Sequence, residues 1–163
     1  DTENGMFYFT STEDTALVTR NFEYRDNVIP SSNSIMAKNL FVLSHHYDDK
    51  KYADAARQML KNVAADIEKY PSGFANWLDL LSNYQSKYFE IVVVGPNAES
   101  LSKEINNQYI PNKLIAGSIK EEDSPLLKLR YVENETIIYV CVNNSCKLPV
   151  SSSEKAILSI KHF

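Results

Sequence analysis

The densest group of residues able to do chemistry is the run Glu23-Tyr24-Arg25-Asp26-Asn27-Val28-Ile29-Pro30-Ser31-Ser32-Asn33-Ser34. Two carboxylates three residues apart, followed by hydroxyls and an amide where a helix begins, suit a sugar gripped by several hydrogen bonds. If one carboxyl were kept protonated by a raised pKa, the pair would also suit acid–base work. The same residues fit a plainer role, because Ser31, Asn33 and Ser34 are side chains preferred at helix N-caps. Pro30 would hold Ile29 extended in either case.

A second group is Cys141-Val142-Asn143-Asn144-Ser145-Cys146. Structural or reduced thiols are the first expectation. A disulfide across the turn also fits the spacing, and a redox role is a further alternative. A C-x-x-C redox motif is tighter than this, and a zinc site would need two more ligands from His45, His46 and His162. The His45-His46 pair sits at a helix end, where packing and capping are the ordinary roles, and Trp77 at helical spacing reads as core. No metal or cofactor is expected. The sequence contains no H-E-x-x-H and no G-x-S-x-G, so no self-contained catalytic signature stands in it.

Composition narrows the classes. The chain has 163 residues, 44% of them hydrophobic, enough for one domain or a domain with part of another. Ten Tyr, seven Phe and one Trp argue for an ordered core. Seventeen scattered basic residues against twenty-one acidic ones give a net charge of −4, which disfavours nucleic acid as a partner. Only four glycines occur, none close to another, which excludes the closely spaced glycines of phosphate-cradling loops. Apolar runs are far too short for a membrane span. The sequons at Asn134 and Asn143 read as chance matches, and a cytoplasmic location is expected. The start, Asp1-Thr2-Glu3-Asn4, lacks an initiating Met and a signal-peptide pattern, and is read as the beginning of a processed or excised piece.

Hydrophobic periodicity divides the chain. Tyr52, Ala56, Met59, Val63 and Ile67 share one helical face, with Asp49 as N-cap and Pro71 as stop. Phe74, Trp77, Leu78, Leu81 and Gln85 repeat the spacing, and Met36, Leu40 and Leu43 predict an earlier helix over 35–47. These helices carry more than one apolar stripe, so each expects neighbours on two sides. After a boundary near 86–87 the pattern changes. Residues 88–94 read as a central parallel strand ended by Gly95-Pro96. A helix over 98–109 through Leu101, Ile105 and Tyr109 leads to a strand over 113–119, making a βαβ unit. A strand over 136–142 and a final helix with a capping box at Ser151-Ser152-Ser153-Glu154 follow. The acidic 121–125 stretch reads as a solvated loop. Near the start, 5–10 and 16–20 read as short extended pieces. The fold class is α+β.

Five motifs, in order and over essentially the whole chain, carry a resemblance. They are the 24–34 run before a helix, Tyr70-Pro71-Ser72, Ile91-Val92-Val93-Val94-Gly95, Pro111-Asn112-Lys113, and Tyr139-Val140-Cys141 through Cys146 and Pro149. The chain resembles the C-terminal region of the spermatogenesis-associated protein 20 (YyaL-like) family of thioredoxin-domain-containing proteins. The resemblance implies a thioredoxin-like domain upstream, then an α/α toroid of the six-hairpin glycosidase and sugar-epimerase type. Residues 1–86 would be its terminal helical hairpins with a preceding loop, and 87–163 a small α/β subdomain. It further implies that Glu23, Tyr24, Asp26 and Asn33 line the toroid mouth. Glu23 or Asp26 would do acid–base work, and Tyr24, Ser31, Asn33 and Ser34 would hold a carbohydrate. Ser32 stands where the family usually has Gly. The implied partners are the upstream domains and a carbohydrate ligand, with self-association where uncovered helix faces remain. The rival expectations are a non-catalytic scaffold, or Cys141 and Cys146 as a redox client of the thioredoxin-like domain.

Overall fold

The computed structural model describes residues 4–11, 13 and 19–163. The protein is mixed α+β, and by its internal contacts it divides into two units, 1–45 with 49–85, and 46–48 with 86–163.

The first unit is built on α1 (Ser32–Tyr47), α2 (Lys50–Lys69) and α3 (Ala75–Gln85), with a 3-10 turn over Pro71–Phe74 between the last two. Asp49 caps α2 as expected, its carboxylate accepting from Lys51 N. The inward face of α2 is Ala56, Met59, Leu60, Val63 and Ile67, close to the expected stripe, although Tyr52 is exposed. On α1 and α3 the expected faces are rotated. Ala37, Leu40 and Phe41 are buried on α1 while Leu43 is exposed, and Leu80 joins Trp77 on α3. The phase of α1 is set by its polar start. Asn33 and Ser34 are wholly buried, and counting on at helical spacing leads to Ala37, Leu40 and Phe41. Phe41 meets Tyr84 edge-on at 4.9 Å, and Lys38 pairs with Asp79 at 2.6 Å, so α1 and α3 lie together. Of the two pieces expected to be extended, 5–10 forms no strand, and residues 16–18 of the other lie outside the described residues.

The second unit holds β1 (Phe89–Val94), α4 (Ala98–Asn106), β2 (Lys113–Ser118), β3 (Ile137–Val142), β4 (Ser145–Cys146) and α5 (Ser153–Lys161). The sheet order is β2-β1-β3-β4. β1 and β2 run parallel around α4, the expected βαβ unit. β1 is central but not in a parallel sheet, because its other neighbour, β3, is antiparallel. Its continuous apolar character reflects two covered faces rather than the direction of its neighbours. Ile91 and Val93 pack with Ile138 and Val140 under Ala98, Ile105 and Ala156 of the two helices. Val92 and Val94 pack under Leu126 and Leu127. The stretch after the acidic loop therefore closes a sheet face. Helix α4 ends at Asn106, leaving Tyr109 outside it and exposed. The cap of α5 is Ser152, one residue later than expected, accepting from Lys155 N.

Two turns fix this unit. Asn143 and Asn144 both have positive φ, the type I′ arrangement that joins β3 to β4 as a tight hairpin. Beyond it, Cys146 lies opposite Cys141, yet Val150 lies opposite Ile138. Three steps on β3 thus match four on the returning strand, so Leu148-Pro149 carries a bulge. Gly95 has φ +121, and a Cβ there would collide with the Glu135 carbonyl oxygen. We expect Gly95→Ala to cost roughly 1–3 kcal/mol from backbone strain alone. Faster hydrogen exchange of the β1 amides is the readout.

Candidate functional site

Asp26 lies where two helices begin. Its Oδ1 accepts from Ser31 N at 2.9 Å and from Ser34 Oγ at 2.7 Å, at the start of α1. Its Oδ2 accepts from Asn76 N at 2.8 Å, in the first turn of α3. Ser31 Oγ in turn accepts from Ser34 N at 3.2 Å, the standard N-cap contact. Partial burial pushes the Asp26 carboxyl upward, but the hydrogen bonds from Ser31, Ser34 and Asn76 outweigh it and hold the group below its ordinary 3.8. The positive ends of two helices favour the same charged form. A general acid at neutral pH needs the opposite shift.

Asn33 is wholly buried and links three segments. Its Nδ2 donates to Phe7 O at 2.8 Å and to Glu23 O at 2.9 Å, and its Oδ1 accepts from Phe7 N at 2.7 Å. Glu23 is exposed, with Oε2 accepting from Ser32 N at 3.4 Å. Ser32 stays exposed and turns its hydroxyl to Glu23 O.

Tyr24 lies apart from this polar knot. Its carbonyl accepts from Trp77 Nε1 at 2.8 Å, and its ring lines a groove of about 260 Å³ with Met6, Phe22, Asn62 and Asp66. Tyr24 Oη approaches Asp66 Oδ2 at 3.5 Å. The expected site residues therefore divide. Asp26, Ser31 and Ser34 join one another at the helix starts, Asn33 ties the same turn to Phe7 and Glu23, and Tyr24 lines a groove with Asn62 and Asp66 instead. Those two residues of α2 were not singled out from the sequence. Their spacing of four, one face of a helix, was the signal available.

Cys141 and Cys146 form a disulfide, the alternative that fits a hairpin rather than the first expectation of reduced thiols. The Asn143-Asn144 turn makes them an opposed pair, and Lys147 N donates to Val140 O on the next rung at 3.0 Å. Arg130 Nη1 lies 3.4 Å from Cys141 Sγ and 3.8 Å from Cys146 Sγ. His45 packs edge-on to Phe41 at 4.6 Å. Among the described residues no cluster of three His, Cys, Asp or Glu could hold a metal, and no helix is long and apolar enough to cross a membrane.

Comparison with known proteins agrees with the resemblance. Human spermatogenesis-associated protein 20 is 26% identical over 93% of this chain, and the rat protein 27% over the same share. The mouse protein is 27% identical over 78% of the chain. These matches show that the chain is similar to spermatogenesis-associated protein 20 over most of its length and support the resemblance to the C-terminal region of that family. The chain spans about a fifth of the length of these relatives, 21% of the human and rat proteins and 18% of the mouse one. No family model and no solved structure matches it.

Loss of the Asp26 clamp is measurable through Trp77, the single tryptophan. Asp26→Ala should destabilise the helical unit by about 1–3 kcal/mol, seen as an earlier fluorescence transition in denaturant. Because the folded pKa lies below the unfolded value, the contribution is fully present above pH 3.8 and is lost as pH falls through the lower folded value. Asp26→Asn should therefore show a flatter acid-unfolding profile than wild type.

Proposed function

We propose that this chain is a non-catalytic structural module of a spermatogenesis-associated protein 20-like protein. Its helices would complete an α/α toroid of the sugar-epimerase and glycosidase type, with the α/β unit as an appendage. The observation that carries this reading is the second, outward apolar stripe of α1, opposite its buried Ala37, Leu40 and Phe41. Asn33 and Ser34 are 0% exposed, while Ile35, Val42 and Leu43 are 39%, 36% and 37% exposed. A surface helix ordinarily turns such apolar side chains inward. Val28 and Ile29, just before the helix, are also exposed. An apolar outer stripe suits coverage by further helices, and four-fifths of the relatives' length lies beyond the matched segment. In this reading the 23–34 loop is architecture, and Asp26 closes helix ends rather than moving a proton.

A second reading has its own support. The Tyr24 groove combines aromatic and apolar walls with the polar tips of Asn62 and Asp66, the mixture that holds a small polar ligand such as a monosaccharide. It keeps Tyr24 as a ligand contact and gives Glu23, Asp26, Ser31, Asn33 and Ser34 no direct part.

Two measurements separate these readings. In light scattering the isolated chain should self-associate as concentration rises, and a Val42→Lys/Leu43→Lys variant should be monomeric with unchanged circular dichroism. A monodisperse wild-type monomer at high concentration would remove the main support for the toroid. In the full-length protein, a thermal-shift screen with mono- and disaccharides should show no shift. A sugar that raises the wild-type midpoint but not that of Tyr24→Ala would favour the groove. A response lost only in Glu23→Gln/Asp26→Asn would restore the acid–base expectation.

A further inference from the structure

The disulfide hairpin carries features that a simple staple does not need. A pair five residues apart closes a short loop, and the gain in chain entropy is smallest for short loops. The Asn143-Asn144 turn and the β3–β4 ladder already hold the two strands together. The two sulfurs also sit in unlike surroundings. Cys141 is 0% exposed, whereas Cys146 is exposed at the sheet edge.

Arg130 stands beside both, nearer to the buried sulfur. It is held in place by Tyr139 of β3. Its guanidinium lies 5.1 Å from the centre of the Tyr139 ring, and its carbonyl accepts from Tyr139 Oη at 3.1 Å. Glu90, only 3% exposed, lies directly opposite Cys141 in the β1–β3 register. Residues opposite one another on neighbouring strands share a sheet face. A guanidinium beside Cys141 Sγ favours its thiolate, so stabilisation of that leaving group falls to Arg130.

The geometry points to a thiol–disulfide exchange site in which Cys146 is the sulfur attacked and Cys141 the leaving thiolate held by Arg130. The co-reactant is a small thiol or a dithiol. Its thiolate attacks Cys146 Sγ and forms a mixed disulfide. The Cys141–Cys146 bond breaks, and its electron pair leaves on Cys141 Sγ beside the guanidinium. A second donor thiolate attacks the donor sulfur of the mixed disulfide, releasing Cys146, which takes up a proton. Two donor thiols are thereby oxidised to a disulfide as the cystine is reduced to two cysteines. Exchange depends on leaving-group stability as well as on access to the attacked sulfur.

Glutathione is the probe, with the whole chain and peptide mapping by mass spectrometry. The mixed disulfide should fall on Cys146, and Arg130→Gln should slow reduction about tenfold. Arg130→Lys, which keeps the charge, should stay within about threefold of wild type. Glutathione found mainly on Cys141 would overturn the assignment of the attacked sulfur. An unchanged rate in folded Arg130→Gln, or an equal slowing in Arg130→Lys, would overturn the role of the guanidinium charge. The mapping is made on wild type, so it decides the first point even if Arg130→Gln fails to fold.

Discussion

The helical unit depends on one carboxylate being shared between two helix starts. The first backbone N–H groups of any helix lack partners within it, and α1 and α3 both begin beside Asp26. Satisfying both from one side chain fixes the two starts relative to each other. It also draws Ser34 inward, and Asn33 follows by binding Phe7 and Glu23. Once these two polar side chains are buried, helical spacing dictates which later residues of α1 face the core. A polar contact at the first turn thereby decides where the apolar side chains of the following turns lie.

The α/β unit is organised by a different constraint, the need to cover both faces of one short sheet. Helices α4 and α5 cover the first face. The second is closed by a turn rather than a helix, with Leu126 and Leu127 as its apolar contribution. Gly95 permits the sharp exit from β1 because the Glu135 backbone lies where a side chain would stand. The hairpin brings a cysteine pair and Arg130 to the far side of the same sheet. Chemistry and packing here use the same few residues.

Regular elements were legible where one force dominated. The stripe of α2 and the Asp49 cap followed from spacing and side-chain type, and the β-branched run of β1 announced a buried strand. The phases of α1 and α3 were not legible, because apolar spacing alone weighs Leu43 as heavily as Phe41. The inward pull on Asn33 and Ser34 comes from Phe7, Glu23 and Asp26, outside the helix. β1 was read as parallel on both sides because buried strands of either kind look alike in sequence. The 23–34 cluster was visible as a polar group at a helix start. Its division into a structural knot and a separate Tyr24 groove was not, since Asn62, Asp66 and Asn76 reach it from distant positions. Arg130 gave no local signal at all.

The bulge at Leu148-Pro149 has a consequence beyond the hairpin. An outer strand with regular, unpaired backbone groups is a template on which another chain can add a strand, and that route leads to fibrous aggregates. Here β4 is two residues long and is tied to β3 by the disulfide. The segment then slips register by one residue and places a proline, which has no N–H to offer, before Val150. This margin of the sheet is thus protected against edge-to-edge growth, whereas at the opposite margin β2, among the described residues, pairs with β1 alone.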